Sequence, residues 1–196
     1  MATMHSLFFS ILFVAVLFSG GFGHRAVGRE TVGNGPGAMA VGSGPVHQKR
    51  IAHIRERIVN IAVQEIGVRE ATGNNDGQRV EEYLAYTGLG KGYAWCAAFV
   101  SWCYGKVGLS APRNAWSPAL FPNGRRYAAG LSQQENIRPA DLFGIYSQGL
   151  RRINHVGIVR KLGDRYILTV EGNVANGVLS KRRPLATVYA FSNWLD

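Results

Sequence analysis

The sequence predicts an α+β fold in which helices from the first half of the chain pack on an antiparallel sheet from the second half. Three observations support this prediction. Apolar residues recur at helical spacing over residues 51–66, and residues 95–107 are apolar on nearly every side of a helix. After Pro139 the chain changes to short runs rich in β-branched and aromatic residues, separated by Gly, Asn and Asp.

Two amphipathic helices are predicted before the central one. The first covers residues 51–66, where the folded domain is expected to begin, and ends at Gly67. Residues 71–78 have the Gly, Asn and Asp content of a turn, and Asn75 or Asp76 is expected to cap the second helix. The apolar side of that helix carries Val80, Tyr83 and Leu84.

The central helix is predicted over residues 95–107, WCAAFVSWCYGKV, and its apolar character places it in the middle of the domain. Residues 110–123 contain three prolines and predict a loop. A short helix is expected over residues 125–129.

About five strands are predicted after the loop. Gly163 and Asp164 are typical of a tight turn between two of them. The predicted strands cover residues 141–146, 156–162, 166–171, 178–183 and 188–191.

The N-terminus has the pattern of a secretion signal. Residues 7–18 are apolar except for Ser10, and small residues follow them. These twelve residues rise about 18 Å as a helix, too short for a hydrocarbon core of about 30 Å. We therefore expect residues 1–23 to be a signal peptide of a secreted or periplasmic protein, with an uncleaved membrane anchor as the alternative. Residues 24–50 are Gly-rich and predict a flexible linker, which leaves residues 51–196 as the folded domain.

The charge balance is strongly basic. The chain has 22 Lys and Arg against 12 Asp and Glu, a formal net charge of +10. Such a charge favours anionic partners, although a solvated basic surface is the alternative. A nucleic-acid partner is not expected, because no recognition motif is present and the signal segment argues against one. Membrane contact is expected only through that segment, and the protein is expected to be a monomer.

The two cysteines are expected to be free thiols. Cys96 and Cys103 are seven residues apart on the predicted helix, about 10.5 Å along its axis, and a disulfide needs Cα atoms within about 7 Å. The same separation excludes both from binding one zinc ion. Cys96 lies at the helix start, where unpaired N–H groups and the helix dipole lower a thiol pKa. Cys96 is therefore a candidate nucleophile or a buried structural residue, whereas Cys103 is expected to be structural.

His155 is the candidate base for Cys96. The other four histidines lie in the signal segment, the linker or the start of the first helix. Glu171 ends the next predicted strand, where its carboxylate would orient the imidazole, and Asn173 follows two residues later. Each residue alone has an ordinary structural explanation. Together they give the order Cys, His, then acid or amide, which is the papain-like order.

Three segments carry a resemblance to a known family. WCAAFVSW at residues 95–102, NHVGIV at 154–159 and EGN at 171–173 are similar to the signature segments of CHAP-type cysteine amidohydrolases and peptidases. These enzymes belong to the papain-like NlpC/P60 group. The resemblance extends over about residues 58–183.

The resemblance implies a papain-like fold with Cys96 as nucleophile, His155 as base, Glu171 as orienting residue and Asn173 as a fourth polar group. It also implies peptidoglycan as the substrate, cut at the amide between muramic acid and L-alanine or at a peptide bond. The alternatives are a catalytically silent murein-binding module of the same fold and, less favoured, a basic nucleic-acid-binding protein. Tyr93 precedes Cys96 closely and, with Trp95, is a candidate for substrate contact.

No cofactor is expected. Some members of this family bind calcium near the active site, and Asn74, Asn75 and Asp76 offer oxygen ligands. A single carboxylate makes a poor calcium site, so a turn is the preferred interpretation of these residues.

Overall fold

The computed structural model describes residues 44–128 and 131–196. The predicted signal peptide and residues 24–43 of the predicted linker lie outside the described residues. No helix within the described ranges is long and apolar enough to cross a membrane. The elements are α1 (Pro45–Gln64), α2 (Gln78–Tyr86), α3 (Cys96–Lys106), β1 (Arg126–Ala128), β2 (Leu142–Ser147), β3 (Arg152–Leu162), β4 (Tyr166–Val174), β5 (Gly177–Pro184) and β6 (Ala190–Ser192), with 3-10 turns at Ser117–Leu120, Leu131–Asn136 and Leu185–Thr187.

The sheet has six strands in the order β1-β6-β2-β3-β4-β5, and every neighbouring pair is antiparallel. Strands β2 to β6 correspond to the five predicted from the sequence. The predicted turn between β3 and β4 is closed by the Gly163 N–H, which donates to the Tyr166 carbonyl at 2.8 Å. The α+β prediction is confirmed, and the sheet has one strand more than expected.

The additional strand is β1, where the sequence predicts a short helix over residues 125–129. That prediction is wrong because tertiary pairing decides the conformation of this segment. Arg126 lies opposite Ser192 of β6, and the Tyr127 ring stacks on Phe191 with 5.5 Å between centroids. A three-residue strand at a sheet edge has too few residues to show a period in the sequence.

Helix α1 begins six residues before the position that the sequence predicts. Its first residue is Pro45, so residues 45–50 are helical and do not belong to the linker. Proline suits the first turn of a helix, where its missing N–H costs no hydrogen bond. The side chains of residues 44–50 are exposed, which explains why no apolar stripe marks this part of the helix. Burial begins further along, at Arg55, Ile58 and Ala62.

Helix α2 is not capped by a side chain, contrary to the sequence prediction. Its N-cap is Gly77, and neither Asn75 nor Asp76 caps the helix. The Asp76 carboxylate instead accepts hydrogen bonds from the Thr72 N–H at 2.9 Å and the Thr72 hydroxyl at 2.7 Å. Asp76 therefore closes the turn of residues 72–76, as the turn interpretation of this segment requires.

Helix α3 is the centre of the core, as predicted. All of its residues from Cys96 to Tyr104 are buried, and it contacts α1, α2, β3 and β4. Edge-to-face and tilted aromatic contacts join it to α2, with centroid distances of 5.1 to 5.6 Å around Tyr83. Because α3 is packed on every side, the position of its first residue is fixed relative to the sheet. The rings in contact with Tyr83 are Trp95, Phe99 and Trp102.

Candidate active site

Cys96 is the first residue of α3, and its thiol is held at the edge of a cleft. Trp95 is the N-cap, and the Phe99 N–H donates to its carbonyl at 2.8 Å, which closes the first helical turn. The first N–H groups of the helix have no partner within it. Cys96 and Cys103 are both free thiols, as predicted, and Cys103 is fully buried further along the helix.

His155 and Glu171 lie on the neighbouring strands β3 and β4. The Nε2 atom of His155 is 2.8 Å from Oε2 of Glu171, so the other ring nitrogen, Nδ1, is left to interact with Cys96. The structure thus brings together the three residues that the sequence predicts as nucleophile, base and orienting group. His155 pairs with Ile145 of β2, and a bulge in β3 leaves Asn154, the residue before His155, without a partner in β2.

The pKa shifts of these groups favour a thiolate and an imidazolium. Burial raises the pKa of the Cys96 thiol, but the hydrogen bond and positive charge of His155 outweigh it and hold that pKa below its usual value. Burial lowers the pKa of His155, yet hydrogen bonds to Cys96 and Glu171 raise it to about 9. Burial also raises the pKa of Glu171, while its hydrogen bonds with His155 and Arg183 bring it down to about 2.

Ser117 is a site residue that the sequence analysis missed. Its hydroxyl lies 3.3 Å from the Cys96 sulfur, and the residue is buried at the start of a 3-10 turn. This hydrogen bond also lowers the pKa of the Cys96 thiol. A single serine in a proline-rich loop has no signal in the sequence that relates it to Cys96.

Arg183 and Thr169 were also missed. The Arg183 guanidinium donates to both carboxylate oxygens of Glu171, at 2.7 and 2.6 Å, and the Thr169 hydroxyl donates to one of them at 2.6 Å. In the sequence, Arg183 is one residue of a basic cluster, which predicts only a charged surface. Strand pairing brings it to the buried side of Glu171.

Two predicted site residues have other positions than expected. Asn173 does not bond to the imidazole, since its amide donates to Asn75 at 2.8 Å and to Glu70 at 3.2 Å. The strand does not continue regularly to Asn173, which has a φ of 60° next to a bulge. Trp95 is fully buried and donates to Glu70 at 2.9 Å, so it cannot contact a substrate. Trp95 thus holds the loop of residues 70–75 against the start of α3, and Asn173 holds it against the end of β4.

Two glycines of the signature segments are required by close packing. A Cβ atom on Gly157 would lie 2.6 Å from the Phe143 ring and 2.9 Å from Cγ of Glu171. A Cβ atom on Gly172 would lie 2.7 Å from the Trp95 ring and 2.8 Å from Phe99. Gly157 therefore leaves room for the Glu171 side chain, and Gly172 allows β4 to approach α3.

A cleft of about 480 Å³ opens in front of Cys96. Tyr93 and Trp116 line it and are 57% and 56% exposed, a degree of exposure that suits contact with a ligand. Arg113 and Arg152 also line it, and no Asp or Glu is found among its described lining residues. The cleft therefore presents a nucleophile, aromatic surface and positive charge to whatever enters it.

A metal centre finds no support in the described part of the chain, where no group of three His, Cys, Asp or Glu side chains is placed to bind an ion. The carboxylate of Asp76, which the sequence offers as a calcium ligand, is occupied by Thr72.

Comparison with known families identifies the segment that holds this geometry. The family model of the CHAP domain matches residues 88–173. This match, called the CHAP segment below, covers somewhat less than half of the chain and shows a similarity to CHAP domains. The CHAP segment begins just before α3, contains Cys96, His155 and Glu171, and ends at Asn173. Arg183 lies beyond it.

One solved structure shares the fold beyond the CHAP segment as well. The P60 domain of an antigen from M. avium paratuberculosis has a TM-score of 0.50 and 14% identity, covering 76% of this chain and 99% of its own. RipB from Mycobacterium tuberculosis, described as a peptidoglycan hydrolase, has a TM-score of 0.48 and 18% identity over 79% of this chain and 73% of its own. At 14% identity, the likeness to the P60 domain is one of fold. No curated protein sequence matches the chain.

Proposed function

We propose that this protein is a secreted peptidoglycan hydrolase that cleaves an amide bond with Cys96 as its nucleophile. The observation that carries the proposal is the chain of contacts from Cys96 through His155 to Glu171 at the end of an open cleft. A thiol with a lowered pKa beside a hydrogen-bonded imidazole is the arrangement that cysteine hydrolases need.

The first chemical step would be attack of the Cys96 thiolate on the carbonyl carbon of the amide. The tetrahedral oxyanion would be held by the unpaired N–H groups at the start of α3, including that of Cys96 itself. His155 would protonate the leaving amine as the C–N bond breaks, which leaves a thioester on Cys96. Glu171 fixes the imidazole with Nδ1 towards the thiol.

The second step would be hydrolysis of the thioester. His155, now neutral, would take a proton from water, and the resulting hydroxide would attack the thioester carbonyl. Collapse of that intermediate releases the acid and returns Cys96 to the thiolate. Each proton that His155 gives in the first step is recovered in the second, so no cofactor enters the cycle.

Peptidoglycan is proposed as the substrate from the CHAP resemblance together with the cleft. Murein and its attached polymers are anionic, and the cleft carries Arg113 and Arg152 with no described carboxylate among its lining residues. The bond is either the amide between muramic acid and L-alanine or a peptide bond in the stem or cross-bridge. Secretion is proposed from the apolar segment of residues 7–18, which lies outside the described residues.

The proposal is tested by incubating the purified protein with purified murein and analysing the released fragments by mass spectrometry. The matched variants are Cys96→Ala, which removes the nucleophile, and Cys103→Ala, which removes a buried thiol of the same helix. We expect fragments from the wild type and Cys103→Ala only, and their new termini identify the bond. If the wild type releases nothing from several murein types, with calcium or EDTA added, a silent murein-binding module replaces the proposal.

A further inference from the structure

Arg183 donates a hydrogen bond to each carboxylate oxygen of Glu171. Its Nε donates to Oε1 at 2.7 Å and its Nη2 to Oε2 at 2.6 Å, a two-point geometry that matches a guanidinium to a carboxylate. Oε2 also receives the His155 ring at 2.8 Å, and Oε1 receives the Thr169 hydroxyl at 2.6 Å. Glu171 is fully buried. Its described polar partners are the side chains of Arg183, His155 and Thr169.

Strand register explains how Arg183 reaches this position. Arg183 of β5 pairs with Ile167 of β4, and side chains at alternate positions of a strand share one face. Arg183 therefore lies on the same face as Thr169 and Glu171, and its guanidinium is 5.6 Å from the centroid of the Phe143 ring. Arg183 is not among the described residues that line the Cys96 cleft, so its contact is with Glu171 and not with a ligand in the cleft.

A carboxylate in this position needs both orientation and charge compensation. With the imidazole as its single partner, the Glu171 carboxylate would rotate about its last torsion, and one hydroxyl bond from Thr169 restrains that rotation less than the two-point contact of Arg183. A buried carboxylate without a cation also regains its proton more easily, because burial disfavours the charged form. The charged or titratable groups around the hydrogen-bonded pair of Glu171 and His155 are Cys96 from α3 and Arg183 from β5. Strand β2 contributes the apolar Phe143 ring.

We propose that Arg183 is a positioning residue of the active site, which locks the Glu171 carboxylate in the rotamer that holds His155 and keeps it ionised. The chain Cys96–His155–Glu171 then has a fourth group at its buried end. The inference rests on the proposed function for its catalytic meaning, but the state of the Cys96 thiol can be measured without any substrate.

The first test measures the alkylation rate of Cys96 by iodoacetamide against pH, in the wild type, Arg183→Gln and Arg183→Lys. Cys103 is fully buried, and Cys96→Ala serves as the background. In Arg183→Gln, we expect Glu171 to protonate at higher pH and the acid-side midpoint of alkylation to rise by about one pH unit. Lysine restores the charge, so Arg183→Lys is expected to return the midpoint towards that of the wild type.

The matched control is Arg182→Gln. Arg182 is the preceding residue of β5, points to the other face and stacks on the Tyr166 ring at 3.7 Å from its centroid. The Arg182→Gln substitution removes one positive charge from the same strand, and Arg182 has no contact with Glu171. A midpoint shift in Arg182→Gln equal to that in Arg183→Gln would show a general charge effect and would overturn the proposal.

The second test compares murein turnover. Arg183→Gln is expected to lower kcat about ten- to a hundredfold, which is a part of the rate enhancement that an oriented acid–base group contributes. Because Arg183 does not line the cleft, KM should stay within about twofold of the wild type. In the Glu171→Gln background, the same substitution should cause little further loss, since Arg183 acts through Glu171. Independent, additive losses would contradict the proposal.

The two tests separate this inference from the proposed function. A midpoint shift without any murein hydrolysis supports the role of Arg183 and rejects the substrate. Hydrolysis with wild-type kcat and an unshifted midpoint in Arg183→Gln rejects the role of Arg183 alone. If circular dichroism shows that Arg183→Gln does not fold, Arg183→Lys decides. It keeps the charge and loses the two-point contact, so we expect a midpoint near that of the wild type with a lowered kcat. A wild-type kcat in that variant would overturn the positioning role.

Discussion

At the scale of single residues, the reactivity of Cys96 is set by neighbours that are distant in the chain. The thiol lies in a buried position that by itself disfavours ionisation, and polar contacts reverse that effect. One of them, the imidazole, is implied by the family resemblance. The other, the Ser117 hydroxyl, has no counterpart in any sequence pattern, so its effect is the first that we predict.

Ser117→Ala is expected to raise the pKa of the Cys96 thiol, because the thiolate loses a hydrogen bond that stabilises it. The thiolate then forms at higher pH. A hydrogen bond worth about 0.5–1.5 kcal/mol corresponds to a shift of about half to one pH unit. The measurement is the pH dependence of iodoacetamide alkylation, with labelling confirmed at Cys96 by mass spectrometry. An unchanged midpoint would mean that the hydroxyl does not donate to the thiolate.

At the scale of elements, those with a strong local pattern were predictable from the sequence and those fixed by tertiary contacts were not. Helix α3 was predictable because thirteen consecutive residues are apolar on nearly all sides. Strand β1 was not, because its conformation depends on pairing with β6 at the far end of the chain. The start of α1 at Pro45 was missed because the first turns of that helix are exposed and carry no apolar stripe.

The candidate site divides in the same way. Cys96, His155 and Glu171 lie in segments whose motifs can be read in the sequence, and the structure places them together. The position of Asn173 was wrong because a bulge and a positive φ turn its amide towards Glu70 and Asn75. Arg183 was missed because its partner is known only once β5 is paired with β4.

Gly157→Ala tests whether the packing of β3 against Glu171 sets the site. The new methyl group would lie 2.6 Å from the Phe143 ring and 2.9 Å from Cγ of Glu171, which forces one of them to move. We expect the free energy of unfolding to fall by about 1–3 kcal/mol, as for other overpacked positions, together with lower murein hydrolysis. Urea unfolding measures the stability.

Gly124→Ala is the matched control for that prediction. A Cβ atom on Gly124 meets no atom within 4 Å. It should therefore leave both stability and hydrolysis close to the wild type. Equal effects of the two substitutions would mean that the loss of a glycine matters more than the contact with Glu171.

At the scale of the whole molecule, one buried arginine ties α1 to the sheet and to the C-terminus. Arg55 donates to Asp141 at 2.7 Å, to Asn193 at 3.0 Å and to Asp196 at 2.9 Å. Asp141 is fully buried and precedes β2, so this cluster connects the ends of the described chain across the fold. None of its residues is among the described lining of the Cys96 cleft, so the cluster is expected to affect stability more than catalysis.

Arg55→Met is expected to lower the free energy of unfolding by about 3–5 kcal/mol, because the Asp141 carboxylate is left buried without its cation. Arg57 lies two residues further along α1 and is exposed, so Arg57→Met should change the stability by less than about 0.5 kcal/mol. Urea denaturation of both variants measures the difference. A loss in Arg55→Met no larger than in Arg57→Met would show that the buried pair does not stabilise the fold.

The positive charge of the molecule raises the question of whether an anionic substrate is attracted by the whole surface or by the cleft alone. Residues 125–183 contribute +7 of the net charge of +10, with 11 Lys and Arg against 4 Asp and Glu. Among the described residues that line the cleft, the basic ones are Arg113 and Arg152. Arg113 is also held in place, since its Nε donates to the Tyr86 carbonyl at 2.7 Å and its guanidinium stacks 4.6 Å from the centroid of that ring. A fixed guanidinium with its remaining N–H groups available is suited to a carboxylate of the substrate.

We therefore expect Arg113→Gln and Arg152→Gln each to raise KM for murein about tenfold with little change in kcat, the effect of one charge-assisted hydrogen bond. Arg165→Gln removes the same charge at an exposed position outside the cleft and should change KM by less than twofold in about 0.15 M salt, where long-range attraction is screened. Steady-state hydrolysis of soluble murein fragments measures both constants. A site in the cleft that binds a substrate carboxylate would make Arg113 and Arg152 matter more than Arg165. Equal increases of KM in all three variants would therefore assign the attraction to the net charge of the protein.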